Sequence, residues 1–135
     1  MKERRHIHVA CAIIERDGLV LSALRSASMH LPLKWEFPGG KIEPGEGQEE
    51  CLQRELVEEM GVQISVGRPL TPATHHYEAF TVTLYPYICS IVSGEIVLHE
   101  HSEITWLPAQ QMHELDWADA DLPIIAEYQR LTRPE

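Results

Sequence analysis

Three glutamates, Glu55, Glu58 and Glu59, stand at i, i+3 and i+4 in a segment rich in Glu, Gln, Leu and Arg. At about 100° per residue, a helix gathers them into one arc and leaves Leu52, Leu56 and Met60 in the next. Like charges at these spacings repel, at a cost of roughly 0.2–0.5 kcal/mol per pair, so the cluster calls for a cation or full solvation. Crowded carboxylate oxygens without local Cys or His suit Mg²⁺, or alternatively Mn²⁺, better than zinc. Glu50, Arg54 and Glu58, at i, i+4 and i+8, also read as ordinary salt bridges on a wet helix face. Just ahead, Pro38-Gly39-Gly40 lets the backbone approach a ligand and can offer it a carbonyl, and Lys41 adds a positive charge.

The elements that must position these groups follow from periodicity and punctuation. Residues 8–14 and 19–24 are β-capable runs separated by Glu15-Arg16-Asp17-Gly18, where Asp-Gly predicts a hairpin turn. A loop is expected around His30-Leu31-Pro32-Leu33. Trp35-Glu36-Phe37 follows, and Pro38-Gly39-Gly40 is expected to break regular structure. Residues 48–60 contain neither Gly nor Pro and predict a helix ended by Gly61. Strands are expected at 62–66 and 80–92, and at 104–108, with a turn at Gly94 before the apolar Glu95-Ile96-Val97-Leu98. Ile124, Ile125, Tyr128 and Leu131 predict a terminal helix behind Asp121-Leu122-Pro123, with Asp121 as a possible cap. This order predicts a mixed sheet flanked by helices.

The 135 residues suit one domain, 1–135, and 44% hydrophobic with 24% charged residues fits a globular chain. Lys plus Arg number 11 against 21 Asp plus Glu, a net charge of −10, which opposes a nucleic-acid polymer as partner. Bound divalent cations would reverse the local field and admit a small phosphate compound. No apolar stretch suits a membrane span, and the opening residues do not resemble a leader, so a cytoplasmic location is expected. Cys11, Cys51 and Cys89 form no CxxC pair and are expected to be core packing in a reducing compartment.

The spacing Gly40, Glu46, Arg54-Glu55-Leu56, Glu58-Glu59, Gly61-Val62 matches the Nudix box at every defined position. The chain therefore resembles the Nudix hydrolases, and its Trp35-to-Lys41 and Asp121-Leu122-Pro123 flanks resemble the MutT-like branch. The resemblance implies an α/β fold, an α/β/α sandwich around a mixed sheet. It also implies Mg²⁺-dependent hydrolysis of nucleoside triphosphates, oxidised or cytosine nucleotides among them, to the monophosphate and pyrophosphate. Other readings left open are ADP-ribose or a dinucleoside polyphosphate as substrate, or a nucleotide-binding regulator without turnover. On this resemblance Glu55, Glu58 and Glu59 hold the metal with the Gly39 carbonyl, Glu46 supports the metal site, and Arg54 orients the carboxylates. Glu58, Glu59 or Glu100, the last preferred to Glu103, would take the proton of the attacking water.

Substrate choice lies outside the box. Arg25 matches a phosphate-contacting arginine, Lys41 and Phe37 are further substrate contacts, and Asp121 matches a base-reading position. An ionised carboxylate at Asp121 only accepts hydrogen bonds, which suits an exocyclic amino group or N–H edge. Trp35, Tyr77, Phe80 and Trp117 are candidates for stacking or for the core. His99 and His101 are expected at alternating strand positions without metal. The partner is a small nucleotide, and the chain a monomer or homodimer.

Overall fold

Ala10, Cys11, Ala12, Ile13 and Ile14 are each no more than 2% exposed, a burial on both faces that only a central strand experiences. They form the middle of β1 (His6–Arg16) in a computed structural model that describes residues 5–29 and 33–133. His30, Leu31 and Pro32, in the expected loop, lie outside the described residues, as do Met1 to Arg4. Asp17 and Gly18 turn the chain with φ of 54° and 78°, the paired left-handed conformation of a tight hairpin, into β2 (Leu19–Leu24).

β1 runs parallel to β7 (Thr81–Ser93), in register from His6–Thr81 to Ile14–Cys89. β7 carries β5 (Gln63–Pro69) and β6 (Ala73–His76) antiparallel along its far edge, and sequence reasoning had not placed β6. Beyond β1, β2 pairs with β3 (Trp35–Glu36) and with β8 (Glu103–Leu107). Pro38-Gly39-Gly40 does not end regular structure as expected. Gly39–Lys41 forms β4, antiparallel to residues 9–11 of β1. The glycines permit it, because a Cβ on Gly39 would lie 2.0 Å from the Ala10 carbonyl oxygen.

The sheet is mixed and flanked by helices, as expected. Alternation along β1 sends Ala10, Ala12 and Ile14 toward the cluster that includes Cys51, Leu52, Leu56 and Met60 of α1 (Gln48–Met60). Cys11 and Ile13 join the opposite cluster with Ile124, Ile125 and Tyr128 of α2 (Leu122–Thr132). Gly61, at φ 69°, ends α1, its N–H donating to Val57 O while Val62 N–H donates to Leu56 O. The stretch 95–98 is not a strand. After Gly94 (φ 96°) it runs beneath the end of α1, where Val97 N–H donates to Met60 O and His99 N–H to Glu59 O. Unsatisfied carbonyls at a helix C-terminus thus draw this segment away from the sheet. No helix among the described residues is long and apolar enough to cross a membrane, and the three cysteines are buried and unpaired.

Gly39→Ala should destabilise the protein by about 3 kcal/mol in urea unfolding, since its Cβ meets backbone that cannot give way. Gly45→Ala, at φ +79° but with no atom within 4 Å of the new Cβ, should cost only about 1 kcal/mol.

Candidate active site

The acids of α1 are organised by one cation. Arg54 donates from Nε and Nη2 to the two oxygens of Glu46 (2.7 and 2.9 Å), from Nη1 to Glu55 (2.8 Å) and Glu58 (3.2 Å), and from Nη2 to the Lys41 carbonyl (3.2 Å). The guanidinium therefore ties the loop before the helix to the helix itself. With Arg54 on both oxygens and the Glu43 N–H on one, Glu46 is held ionised, its pKa lowered to about 2. The same carboxylates hold Arg54 charged more firmly than usual.

Glu55 owes its place to Gly40, where a Cβ would come within 2.2–2.5 Å of the carboxylate. Glu59, one turn on, is 7% exposed, and its Oε2 is buried without a hydrogen-bond partner. Burial, then the charges of Glu100, Glu55 and Glu36, push its carboxyl far above the ordinary range, to about 9. A buried carboxyl oxygen lacking a donor, amid other carboxylates, is the environment a hard divalent cation satisfies, and the residues fit Mg²⁺ or Mn²⁺. Glu55, Glu58 and Glu59 would hold it, with the Gly39 carbonyl as a further oxygen donor. Among the described residues no three side chains already converge as a cage. Glu58 is instead turned toward Arg54, its side chain 59% exposed.

Sequence reasoning missed Glu36. Its Oε1 accepts from Arg25 Nη1 at 2.7 Å and its Oε2 lies 2.7 Å from His101 Nε2. Its charge raises the pKa of both Glu59 and Asp121, so it links the acids of α1 to the start of α2. The available signal was a single acid between two aromatics in a short strand.

Several expectations need correction. Phe37 presents no ring to a ligand. It is 3% exposed and packs against Trp117 with centroids 5.0 Å apart, while its N–H donates to Asp121 Oδ1 at 3.1 Å. Asp121 is buried and makes no capping bond to α2. Desolvation and then Glu36 drive it toward the neutral acid, against the opposing Phe37 N–H and Arg25, so it can donate as well as accept. Trp117 donates to Met112 O and belongs to the core, whereas Tyr77 and Phe80 are half-buried neighbours with rings 5.2 Å apart. His101 is not an alternating strand residue but a buried partner of Glu36 just ahead of β8. Lys41 is exposed at the end of β4, Glu100 is exposed beside the acids, and Arg25 is engaged with Glu36. A surface concavity of about 890 Å³ includes only Glu46 of the expected site residues; His8, Tyr85 and Tyr87 also line it. It lacks the α1 acids Glu55, Glu58 and Glu59, so the chemistry is placed by the carboxylates rather than by cavity size.

The NUDIX domain profile matches residues 4–128. This chain belongs to the NUDIX domain family. It is 34% identical over 125 residues to a CTP pyrophosphohydrolase of Escherichia coli K12, covering 93% of each chain. An 8-oxo-dGTP diphosphatase of the same organism is 29% identical over 128 residues, covering 94% of this chain and 99% of that one. The crystal structure of a MutT protein from Methanosarcina mazei Go1 superposes with a TM-score of 0.88 over 99% of this chain and 100% of that one, at 22% identity, and establishes the same fold. This Nudix hydrolase thus carries Arg54 and the acids Glu55, Glu58 and Glu59 of its box on the helix expected from sequence.

Glu59 gives a stability signature. Its folded pKa of about 9 exceeds its ordinary 4.5, so the folded state binds more protons between these values. The stabilising contribution of the protonated group is complete below about pH 4.5 and is lost as pH rises through 9. Without divalent metal, the melting temperature should therefore fall between pH 5 and 9, and Glu59→Gln should flatten that fall in calorimetry.

Proposed function

We propose that this Nudix hydrolase cleaves nucleoside triphosphates to the monophosphate and pyrophosphate with Mg²⁺, with Mn²⁺ as a substitute. The observation that carries the reading is the buried, unpartnered Glu59 oxygen beside Glu55 in the NUDIX helix. The names of the relatives, a CTP pyrophosphohydrolase and an 8-oxo-dGTP diphosphatase, support a triphosphate substrate.

A divalent cation supplies charge neutralisation for the phosphate oxygens and lowers the pKa of a bound water. The chain's own residues do the rest. Glu55, Glu58 and Glu59 offer oxygens from one helix, and Gly39 offers its carbonyl from β4 across Gly40. Arg54 keeps Glu55 and Glu58 oriented while Glu46 holds Arg54 from the other side. Glu100, exposed to solvent and close enough for its charge to act on Glu59, would receive the water's proton in preference to Glu58 or Glu59. Arg25 and Lys41 supply positive charge for the polyphosphate. The buried carboxyl of Asp121, able to donate and accept once protonated, reads the base edge with the Phe37 main chain beside it. Three unpaired cysteines suit a reducing cytoplasm.

Glu58→Gln should lower kcat by about 100-fold or more while leaving the melting transition near wild type, since Glu58 is exposed. Pyrophosphate release across a panel of canonical and oxidised nucleoside triphosphates, with AMP release from ADP-ribose followed alongside, measures both this and substrate choice. Equal turnover by the variant, or cleavage of ADP-ribose alone, would overturn the reading.

A further inference from the structure

The segment that carries Glu100 is fastened at three points. His99 N–H donates to the carbonyl of Glu59 (3.2 Å), so the segment hangs from the residue whose carboxyl feels Glu100. Ser102 N–H donates to Leu24 O of β2 at 3.0 Å. Between these two main-chain tethers one side chain turns inward. His101, its side chain 2% exposed, places Nε2 2.7 Å from Glu36 Oε2, while its neighbours Glu100 and Ser102 remain exposed. Since a carboxylate oxygen accepts, Nε2 carries the proton in this bond.

Glu36 is a rigid anchor for it. β3 pairs with β2 at Ala23–Glu36 and Leu24–Trp35, and Arg25 Nη1 holds the other oxygen of Glu36 at 2.7 Å. The Ser102 tether and the His101 bond therefore end on one two-stranded platform. Glu100, whose charge acts on Glu59, is exposed, and its segment lies beside α1 through these bonds. We propose that His101 is a positioning residue, a latch whose bond to Glu36 holds the Glu100 segment against the acids of α1. This rests on the metal-dependent reading above, but it concerns how the segment is held and not which group binds the ion.

Removing a partner that orients metal-site groups typically costs about 10–100-fold in metal affinity or activity. His101→Ala and His101→Leu lack the donor, and Leu also fills the volume; His101→Gln restores an N–H. The donor-less variants should lower kcat about 10-fold or more with KM for the nucleotide within about twofold. Because His99 N–H ties the same segment to Glu59 O, they should also weaken Mn²⁺ binding to the nucleotide-free protein, read by electron paramagnetic resonance, by a similar factor. His101→Gln should recover most of both. In wild type the His99 and Ser102 amides should exchange slowly with solvent, and faster in the donor-less variants. Wild-type Mn²⁺ binding and unchanged amide protection in His101→Leu would overturn the latch, as would equal impairment of His101→Gln and His101→Leu. Should neither donor-less variant fold, fast exchange of both amides in the wild type, or a His101→Gln protein that folds but binds Mn²⁺ no better than about a tenth as well, would overturn it. A wild-type protein that turns over no triphosphate and ignores added Mg²⁺ would instead overturn the proposed function itself.

Discussion

Carboxylates crowded on α1 and in the loop before it repel one another, and the Arg54 guanidinium is what lets four of them share so small a region. It reaches Glu46, Glu55 and Glu58 by hydrogen bonds and Glu43 at 3.8 Å, and it takes the Lys41 carbonyl as well. Loop, strand β4 and helix α1 are thereby joined through one planar group with donors in fixed directions. The charge balance stops short of Glu59, which Arg54 does not reach by any hydrogen bond found among the described residues. That residue keeps an unpartnered oxygen and resists ionisation. The site is thus neutralised at its rim and left short of positive charge at its buried end, an environment that favours a cation there.

A second carboxylate, Glu36, connects this centre to the other side of the sheet. Arg25 and His101 hold its two oxygens, and its charge is felt at Glu59 of α1 and at Asp121 at the start of α2. The central strand makes this possible. Because β1 is buried on both faces, α1 and α2 pack on opposite sides of one sheet, and the short strands β3 and β4 at its edge bring groups from both layers together. Glycine is needed there for approach distance, with Gly39 flush on β1 and Gly40 beneath the Glu55 carboxylate.

Much of this was legible from residue order. The hairpin at Asp17-Gly18, the helix over Gln48–Met60 with its Gly61 stop, and the arc of Glu55, Glu58 and Glu59 are local, because each depends on φ preferences or on a period of 3.6 residues within one segment. The terminal helix and strands β1, β2, β5, β7 and β8 followed from the same patterns, whereas the short strands β3, β4 and β6 did not. Residue types alone left the acids open to a divalent cation or to ordinary salt bridges, and the box spacing marked the family.

Tertiary structure decided what depends on partners far apart in the chain. Glu36 and His101 are 65 positions apart, and Phe37 and Asp121 are 84 apart. No local pattern reports that His101 turns inward, that Phe37 contributes its main chain while its ring fills the core, or that Asp121 prefers to be neutral. Those outcomes are set by burial and by the charges of residues brought in by other strands. The stretch after Gly94 is the same lesson for the backbone, since its apolar residues suit a strand, yet the free carbonyls at the end of α1 claim its N–H groups. Periodicity within a segment settles local conformation because the forces act over one or two turns, whereas the protonation, exposure and partners of a site residue are properties of the assembled neighbourhood.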